Sequence, residues 1–294
     1  SRIENDLRDL GVEYDNWFYE SSLFNDVTNK VLSILESKKL LYEKEGAKWF
    51  KASNFFCDQD VVIERSEDSG HTYFFTDMSY HYDKFQKRRF EKVINIFGAD
   101  HHSHVNRLKS AVSAMDIEVE KLNILLTQIV HFKNQEKIEK FSKRSGNIYS
   151  VRDLIDIVGS DSIRFNFLNR TLDSQQEFDL DLAVKQSNEN PVYYVQYAHA
   201  RLCSIINSAD MNIQDANLSL LSSKYEKKLI DKIDFFEDII VHSVENLETH
   251  NITQFSIDLA KDLQIFYENC RVCLLYTSDA ADEGLGVDLG GRRI

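Results

Sequence analysis

The pattern of apolar and polar positions differs between the first and the last part of the chain. Up to about residue 170, short aromatic and β-branched runs alternate with stretches of helical spacing, which is typical of an α/β layer structure. The predicted strands are "KWFKAS", "TYFFTD", the buried strand "EKVINIF", and "NILLTQIVHF" at 123–132. From about residue 178 only helical patterns remain, so we predict an all-α region and place a domain boundary near residue 185.

A polar loop interrupts the α/β pattern directly after Phe97. The loop "GADHHSH" is followed by "VNRLKSAVSAM", in which apolar residues recur at helical spacing. This order predicts a strand, a tight loop and a helix. Because ligands of open α/β sheets bind beyond the carboxyl ends of strands, the loop is a candidate binding site.

Two helix starts carry clear local signals. Ser150 with Asp153 three residues later resembles a capping box, and Gly159 stands where a helix would stop, which predicts a helix over 151–158 and another from Ser160. Further on, "NP" at 190–191 pairs an N-cap residue with a first-turn proline and opens a long helix. Two more helical runs are predicted at about 219–247 and 253–272.

Composition narrows the class of protein. A chain of 294 residues with 43% hydrophobic content can bury a substantial core and is long enough for two domains. No run approaches about 20 consecutive apolar residues, and "SRIENDLRDLG" has no signal-peptide pattern, so we expect a cytoplasmic protein without a membrane span.

The net charge and the cysteine content argue against two further classes of protein, those that coat nucleic acids and those held together by disulfides. The net charge of −13 argues against a sequence-independent nucleic-acid coat, although the segments 83–92 and 139–147 are locally basic. Four scattered cysteines do not make a disulfide framework, and Cys270 with Cys273 supply only half of a structural zinc site. We therefore expect reduced thiols and no zinc.

The basic stretch "EKFSKRSGN" could be a solvated turn or a loop that binds a polyanion. The other motifs of the chain distinguish between these two interpretations. It occurs in order with "GADHHSHVNRLKSA", "GSDSIRFNFL", "FDLDLA" and "NPVYYVQYAHAR". Together these motifs resemble the arginyl-tRNA synthetases, a class I family, over residues 1 to about 272. The resemblance implies the carboxyl-terminal portion of a Rossmann-like catalytic domain (1–185), followed by an all-α anticodon-binding helical bundle (186–272).

In this resemblance, "KFSKR" is similar to the class I lysine-methionine-serine-lysine-serine loop, with Phe at the methionine position. The implied catalytic residues are Lys140, Ser142, Lys143 and Arg144. Amino-acid activation expels pyrophosphate, so positive charge brought to the β and γ phosphates would stabilise the transition state. Lys143, assisted by Lys140, is the candidate for that charge.

Other site residues follow from the same resemblance. Tyr73 and Asp77 match a tyrosine-x-x-x-aspartate pattern that would bind the arginine side chain, because a guanidinium pairs best with a carboxylate. His101 is assigned to arginine and ATP, and His104 to ATP. Two alternatives stay open: Asp77 as a helix N-cap, and a metal cluster of Asp100, His101, His102 and His104.

The helical region offers candidates for RNA contact. Tyr197 and Arg201 combine an aromatic face with a cationic edge, which suits the stacking and reading of unpaired bases. The alternative is that aromatic residues at helical spacing form the core of the bundle.

Two departures from the family pattern stand out. No His-Ile-Gly-His-type motif occurs, so we expect that the sequence begins after it and that the fragment by itself is inactive. Residues 273–294 lose helical periodicity, and "CLLYTSDAADE" resembles a translated sequencing adapter, which predicts a non-native tail.

The resemblance implies an arginine–tRNA ligase with L-arginine, ATP with Mg²⁺, and tRNA(Arg) as substrates, and a monomeric state. One alternative is a non-catalytic tRNA-binding or RNA-binding paralogue, although such a protein has no need of a pyrophosphate-binding loop. Another is a different class I synthetase, such as the cysteine enzyme, which the missing zinc ligands disfavour.

Overall fold

The computed structural model describes residues 2–65, 70–134, 137–139, 149–208 and 217–270. These residues form two compact units. The first unit comprises residues 14–129, and the second comprises residues up to 13 together with those from 130 onward. The boundary predicted near residue 185 lies within the second unit and stays a prediction.

Helix α1 (Arg2–Asp9) belongs to the second unit. The guanidinium of Arg152 holds it through the carboxylates of Asp6, at 3.0 Å, and Asp9. Arg164 donates to the carbonyl oxygen of Gly11, with an Nη1 to O distance of 2.6 Å. These contacts join the start of the described chain to residues far along the sequence.

The first unit mixes helices with two small sheets. In chain order its elements are α2 (Asp26–Ser37), β1 (Leu41–Lys44), β2 (Ala47–Phe50), β3 (Val61–Glu64), α3 (Tyr73–Tyr82), β4 (Val93–Gly98), α4 (His102–Ala114) and β5 (Leu122–Thr127). Strands β1, β2 and β3 form an antiparallel sheet, while β4 and β5 pair in parallel. A π-helical turn, Asp83–Lys87, continues α3.

The core of the first unit is formed by one face of each helix and by the sheet residues that meet it. Fully buried side chains include Val31, Leu35, Phe50, Phe75, Met78, Leu108 and Val112. The predicted strand, loop and helix around "GADHHSH" are confirmed, because β4 leads through a short 3₁₀ turn (Ala99–His101) directly into α4.

Strand β4 differs in one respect from the prediction of a buried strand. Val93 and Asn95 point into the core, whereas the side chains of Ile94 and Ile96 are 44% and 65% exposed. The strand is therefore buried on one face only, since successive side chains of a strand point to opposite faces.

Two strand predictions were wrong. "TYFFTD" forms the first turns of α3, where the Thr72 hydroxyl accepts a hydrogen bond from the Phe75 amide and Phe74, Phe75 and Met78 pack inward. The run at 123–132 is divided between β5 and a second strand that starts at Val130, where the second unit resumes. Aromatic content favours strands, but the N-cap and tertiary packing decide the structure of 72–77.

The second unit begins with a small sheet. Strand β6 (Val130–Asn134) pairs antiparallel with β7 (Lys137–Glu139) and parallel with β8 (Gln176–Asp179). Helices α5 (Val151–Val158) and α6 (Ser160–Leu168) lie between these strands in sequence, and the short helix α7 (Leu180–Ala183) follows β8.

The helix boundaries predicted around Ser150 and Gly159 are confirmed. Ser150 and Asp153 form a reciprocal capping box at the start of α5. Gly159 ends that helix with φ 78° and ψ 157°, and nothing within 4 Å would meet a Cβ there. Only glycine adopts this backbone region readily, so the residue is needed for its conformation and not for space.

Four longer helices complete the described chain: α8 (Pro191–Ser208), α9 (Lys224–Asp234), α10 (Phe236–Asn246) and α11 (His250–Asn269). The Asn190 side chain accepts a hydrogen bond from the Val192 amide, at 3.1 Å, which confirms its predicted capping role. The run predicted at 219–247 is two helices, α9 and α10. Among the described residues, no helix has the length and apolar character needed to cross a membrane.

Candidate functional site

Two segments of the first unit bring a carboxylate and an imidazole together at the carboxyl end of β4. Asp77 lies on α3, and His104 lies in the first turn of α4, just after the "GADHH" loop. His104 Nε2 donates to Asp77 Oδ2 at 2.8 Å. Asp77 is therefore within α3 and does not act as its N-cap, a role that belongs to Thr72.

The two partners differ in exposure. The Asp77 side chain is 44% exposed, whereas that of His104 is 15% exposed. Among the described residues, no group other than His104 is hydrogen-bonded to the Asp77 carboxylate. One carboxylate oxygen thus remains open to a ligand, and the histidine fixes the other.

Aromatic rings surround this pair. Phe74 and Phe97 both meet His104 edge to face, with ring centroids 5.9 Å and 6.1 Å away. The His101 ring lies 6.2 Å from that of His104 and 5.7 Å from that of Phe97. These rings pack around the His104 imidazole and help to hold it against the Asp77 carboxylate.

The structure places Tyr73 and His101 near this pair in different ways. Tyr73 is one helical turn before Asp77 on α3, and 85% of its surface is exposed. His101 is also exposed and lies 3.8 Å from the Asp100 carboxylate. All four predicted residues Tyr73, Asp77, His101 and His104 therefore belong to one region of the first unit.

The alternative of a metal cluster at the loop gains no support. Within the described parts of the chain, no three His, Cys, Asp or Glu side chains converge in a way that could hold a metal ion. His104 is directed to Asp77 instead of to Asp100, His101 and His102.

A buried polar group beneath Asp77 was missed by sequence reasoning. It consists of His81 on α3, Lys84 in the π-helical turn and Asn95 on β4. Burial lowers the pKa of His81 to about 4, with a further contribution from the Lys84 charge. Burial likewise lowers the pKa of Lys84 to about 8. The available sequence signal was a single asparagine within the apolar strand "VINIF".

The signature loop is the stretch "KFSKR", which contains the predicted catalytic residues Lys140, Ser142, Lys143 and Arg144. This stretch lies outside the described residues, so the predicted roles stay predictions. The described neighbours are β7 before the loop and the capped helix α5 after it.

In the second unit, Tyr197 and Arg201 lie on α8 and face α11. The Arg201 guanidinium carbon lies 3.4 Å from the centroid of the Tyr267 ring and 6.0 Å from that of Tyr197. Its Nη1 donates to Gln264 Oε1 at 3.4 Å. The two predicted residues are thus close together, and sequence reasoning missed Tyr267 and Gln264 because they are distant along the chain.

Comparison with protein families gives two matches. Residues 10–166 match the family model for the catalytic domain of tRNA synthetases class I (R). Residues 195–279 match the model for the DALR anticodon binding domain. The first match covers more than half of the chain.

Curated relatives agree with these matches. The arginine–tRNA ligase of Dehalococcoides mccartyi is 43% identical over 274 residues, covering 92% of this chain and 49% of that protein. The arginine–tRNA ligase of Caldanaerobacter subterraneus is 43% identical over 278 residues, with the same coverage. The chain spans about half the length of the curated relatives it matches.

Solved structures show the same fold. A Campylobacter jejuni protein assigned to the arginyl-tRNA synthetases superposes with a TM-score of 0.84 at 30% identity, over 95% of this chain and 61% of that one. The Thermus thermophilus arginyl-tRNA synthetase superposes with a TM-score of 0.74 at 19% identity, over 91% and 54%. The chain belongs to the arginyl-tRNA synthetase family of class I tRNA synthetases.

Proposed function

We propose that the protein to which this chain belongs ligates L-arginine to tRNA(Arg) by way of arginyl-adenylate. The observation that carries this proposal is the Asp77 carboxylate, which His104 holds at 2.8 Å among aromatic rings at the carboxyl end of β4. Such a carboxylate is suited to a guanidinium, which offers a planar fork of donors and stacks on aromatic faces.

In this proposal Asp77 binds the guanidinium group of arginine. The His104 hydrogen bond orients the carboxylate before the substrate arrives, so less rotational freedom is lost on binding. Tyr73, exposed one turn earlier on α3, closes over the same side chain. His101 contacts arginine and ATP, and His104 also faces ATP.

The chemistry of activation falls to the signature loop. The arginine carboxylate attacks the α-phosphorus of ATP, the bond to the β-phosphate oxygen breaks, and pyrophosphate leaves with its Mg²⁺. Lys143 and Lys140 stabilise the developing charge on pyrophosphate, with Ser142 and Arg144 in the same loop. A ribose hydroxyl of the terminal tRNA adenosine then takes the arginyl group and releases AMP.

The helical part of the second unit takes the RNA role in this proposal. Residues 186–272 form the anticodon-binding domain after a catalytic portion that ends near residue 185, and residues 273–294 are a non-native tail. Tyr197 and Arg201 of α8, which lie next to Tyr267 of α11, contact tRNA in this proposal. The protein acts as a cytoplasmic monomer, without zinc and without a membrane partner.

Charging specificity tests the proposal. The protein encoded by the complete gene that contains this sequence is incubated with ATP, Mg²⁺, tRNA(Arg) and each standard amino acid separately. We expect aminoacylated tRNA with L-arginine alone. Charging with another amino acid would favour a different class I synthetase, and charging with none would favour an RNA-binding paralogue.

A further inference from the structure

A chain of hydrogen bonds runs from a buried lysine to the helical turn that carries Asp77. Lys84 Nζ donates to Asn95 Oδ1 at 3.0 Å. Asn95 Nδ2 donates to His81 Nε2 at 2.6 Å, and His81 Nδ1 donates to the backbone oxygen of Asp77 at 2.7 Å. Four residues from two segments of the first unit are therefore joined in one line.

The chemistry of the two end groups fixes the direction of every bond. An ammonium only donates, so the Asn95 oxygen must face Lys84 and the amide nitrogen must face His81. A backbone carbonyl only accepts, so Nδ1 of His81 must carry its proton and Nε2 must accept. The depressed pKa of His81 agrees with this neutral tautomer. Asn95 thereby selects the orientation of the imidazole.

The location of Asn95 is costly unless its amide is paired. It faces the core from β4 and is 7% exposed, while Ile94 and Ile96 on the same strand face outward. An amide buried without partners is strongly unfavourable, so this position is tolerated because both ends of the side chain are bonded. β4 also leads directly to the His101 and His104 loop, so Asn95 lies on the strand that precedes one segment of the site and is bonded to the helix that carries the other.

We propose that Asn95 is a positioning residue for the guanidinium site. By orienting His81, it fixes the turn of α3 that carries Asp77, so that the Asp77 carboxylate stays directed toward His104 and open to the substrate. This inference rests on the proposed function for its link to arginine, but the geometry that it describes can be measured without a ligand.

Three variants of the protein encoded by the complete gene separate positioning from packing. Asn95→Leu removes both side-chain bonds at similar volume. In Asn95→Asp, one carboxylate oxygen still accepts a hydrogen bond from Lys84. The other accepts a hydrogen bond from a protonated His81 Nε2, so the line of bonds is preserved with His81 as a cation. Asn123→Leu is the matched control, because Asn123 lies on the adjacent β5 and its amide nitrogen has no partner among the described residues.

Two readouts are taken well below the unfolding temperature. The ring nitrogen signals of His81 and His104 are followed by NMR of ¹⁵N-histidine-labelled protein, and the Kd for L-arginine is measured by calorimetry. In Asn95→Leu we expect the His104 Nε2 signal to shift and the Kd to rise about tenfold. In Asn95→Asp and Asn123→Leu we expect the His104 signal to stay near its wild-type position and the Kd to stay within about threefold.

Each outcome decides a separate question. An unchanged His104 signal in Asn95→Leu would overturn the inference, and so would an equal shift in Asn123→Leu, which would indicate general packing. If the wild-type protein encoded by the complete gene binds no L-arginine, the proposed guanidinium site fails. The His104 signal then still decides whether Asn95 positions the Asp77 turn.

Discussion

At the scale of single residues, the candidate site depends on groups whose charge is controlled by burial. The Asp77 side chain is 44% exposed and accessible to a cation, while His81 beneath it is 2% exposed and neutral. The sequence could identify Asp77 because it lies in a recognisable spacing with Tyr73. It could not identify His81, since the burial that changes its chemistry comes from contacts with residues outside α3.

The buried His81 makes the first unit sensitive to acid. Its folded pKa of about 4 is below the ordinary 6.5, so between these values the unfolded chain binds a proton that the folded chain does not. Stability should therefore fall as the pH falls through this window. From pH 7 to pH 5 the loss from this group is about 2 kcal/mol.

Urea unfolding measures this loss. Both tryptophans of the chain, Trp17 and Trp49, lie in the first unit, so tryptophan fluorescence reports on its unfolding. His81→Gln should abolish most of the difference between the two pH values. The same change at the exposed His102 should preserve it, and an equal pH dependence in wild type and His81→Gln would refute the assignment.

At the scale of elements, local signals with a defined geometry were predicted well. The capping box at Ser150 and the Asn190 N-cap appear where expected, because each rests on neighbours in sequence. The segment 72–77 was assigned wrongly, since its aromatic side chains suit a strand and are buried by helix α3 instead. The stack of Arg201 on Tyr267 could not be predicted from the sequence, because it joins α8 to α11 across a long stretch of sequence.

Gly159 offers a test of the element boundary between α5 and α6. Its backbone region strongly disfavours side chains, although open space surrounds the position of a Cβ. Gly159→Ala should therefore destabilise the second unit by about 1–3 kcal/mol through backbone strain alone. Asp156→Ala, at an exposed position of α5, is the control and should change stability by less than about 0.5 kcal/mol.

The comparison is made by thermal unfolding followed by far-ultraviolet circular dichroism. A Gly159→Ala chain as stable as the Asp156→Ala chain would show that the helix ends in a different conformation.

At the scale of the whole molecule, the family and the order of its elements were predictable from motifs spread along the chain. The division into two compact units was not predictable, because Arg152 binds α1 and Arg164 binds Gly11 just after it, and both arginines lie far along the sequence. The split of 123–132 between the units was missed for a similar reason. The mostly apolar pattern of this run does not reveal that the first unit ends at Ile129 and that the second resumes at Val130.

Binding of L-arginine and L-citrulline by the protein encoded by the complete gene tests the guanidinium site most directly. Citrulline has the same shape without the charge, so a site built on Asp77 should bind arginine at least about tenfold more tightly. Asp77→Asn should remove most of this preference, whereas Asp100→Asn, the same change at a neighbouring exposed carboxylate, should keep it. Equal affinity for both ligands in the wild-type chain, or a preference that survives Asp77→Asn, would contradict the assignment of Asp77 as the arginine-binding carboxylate.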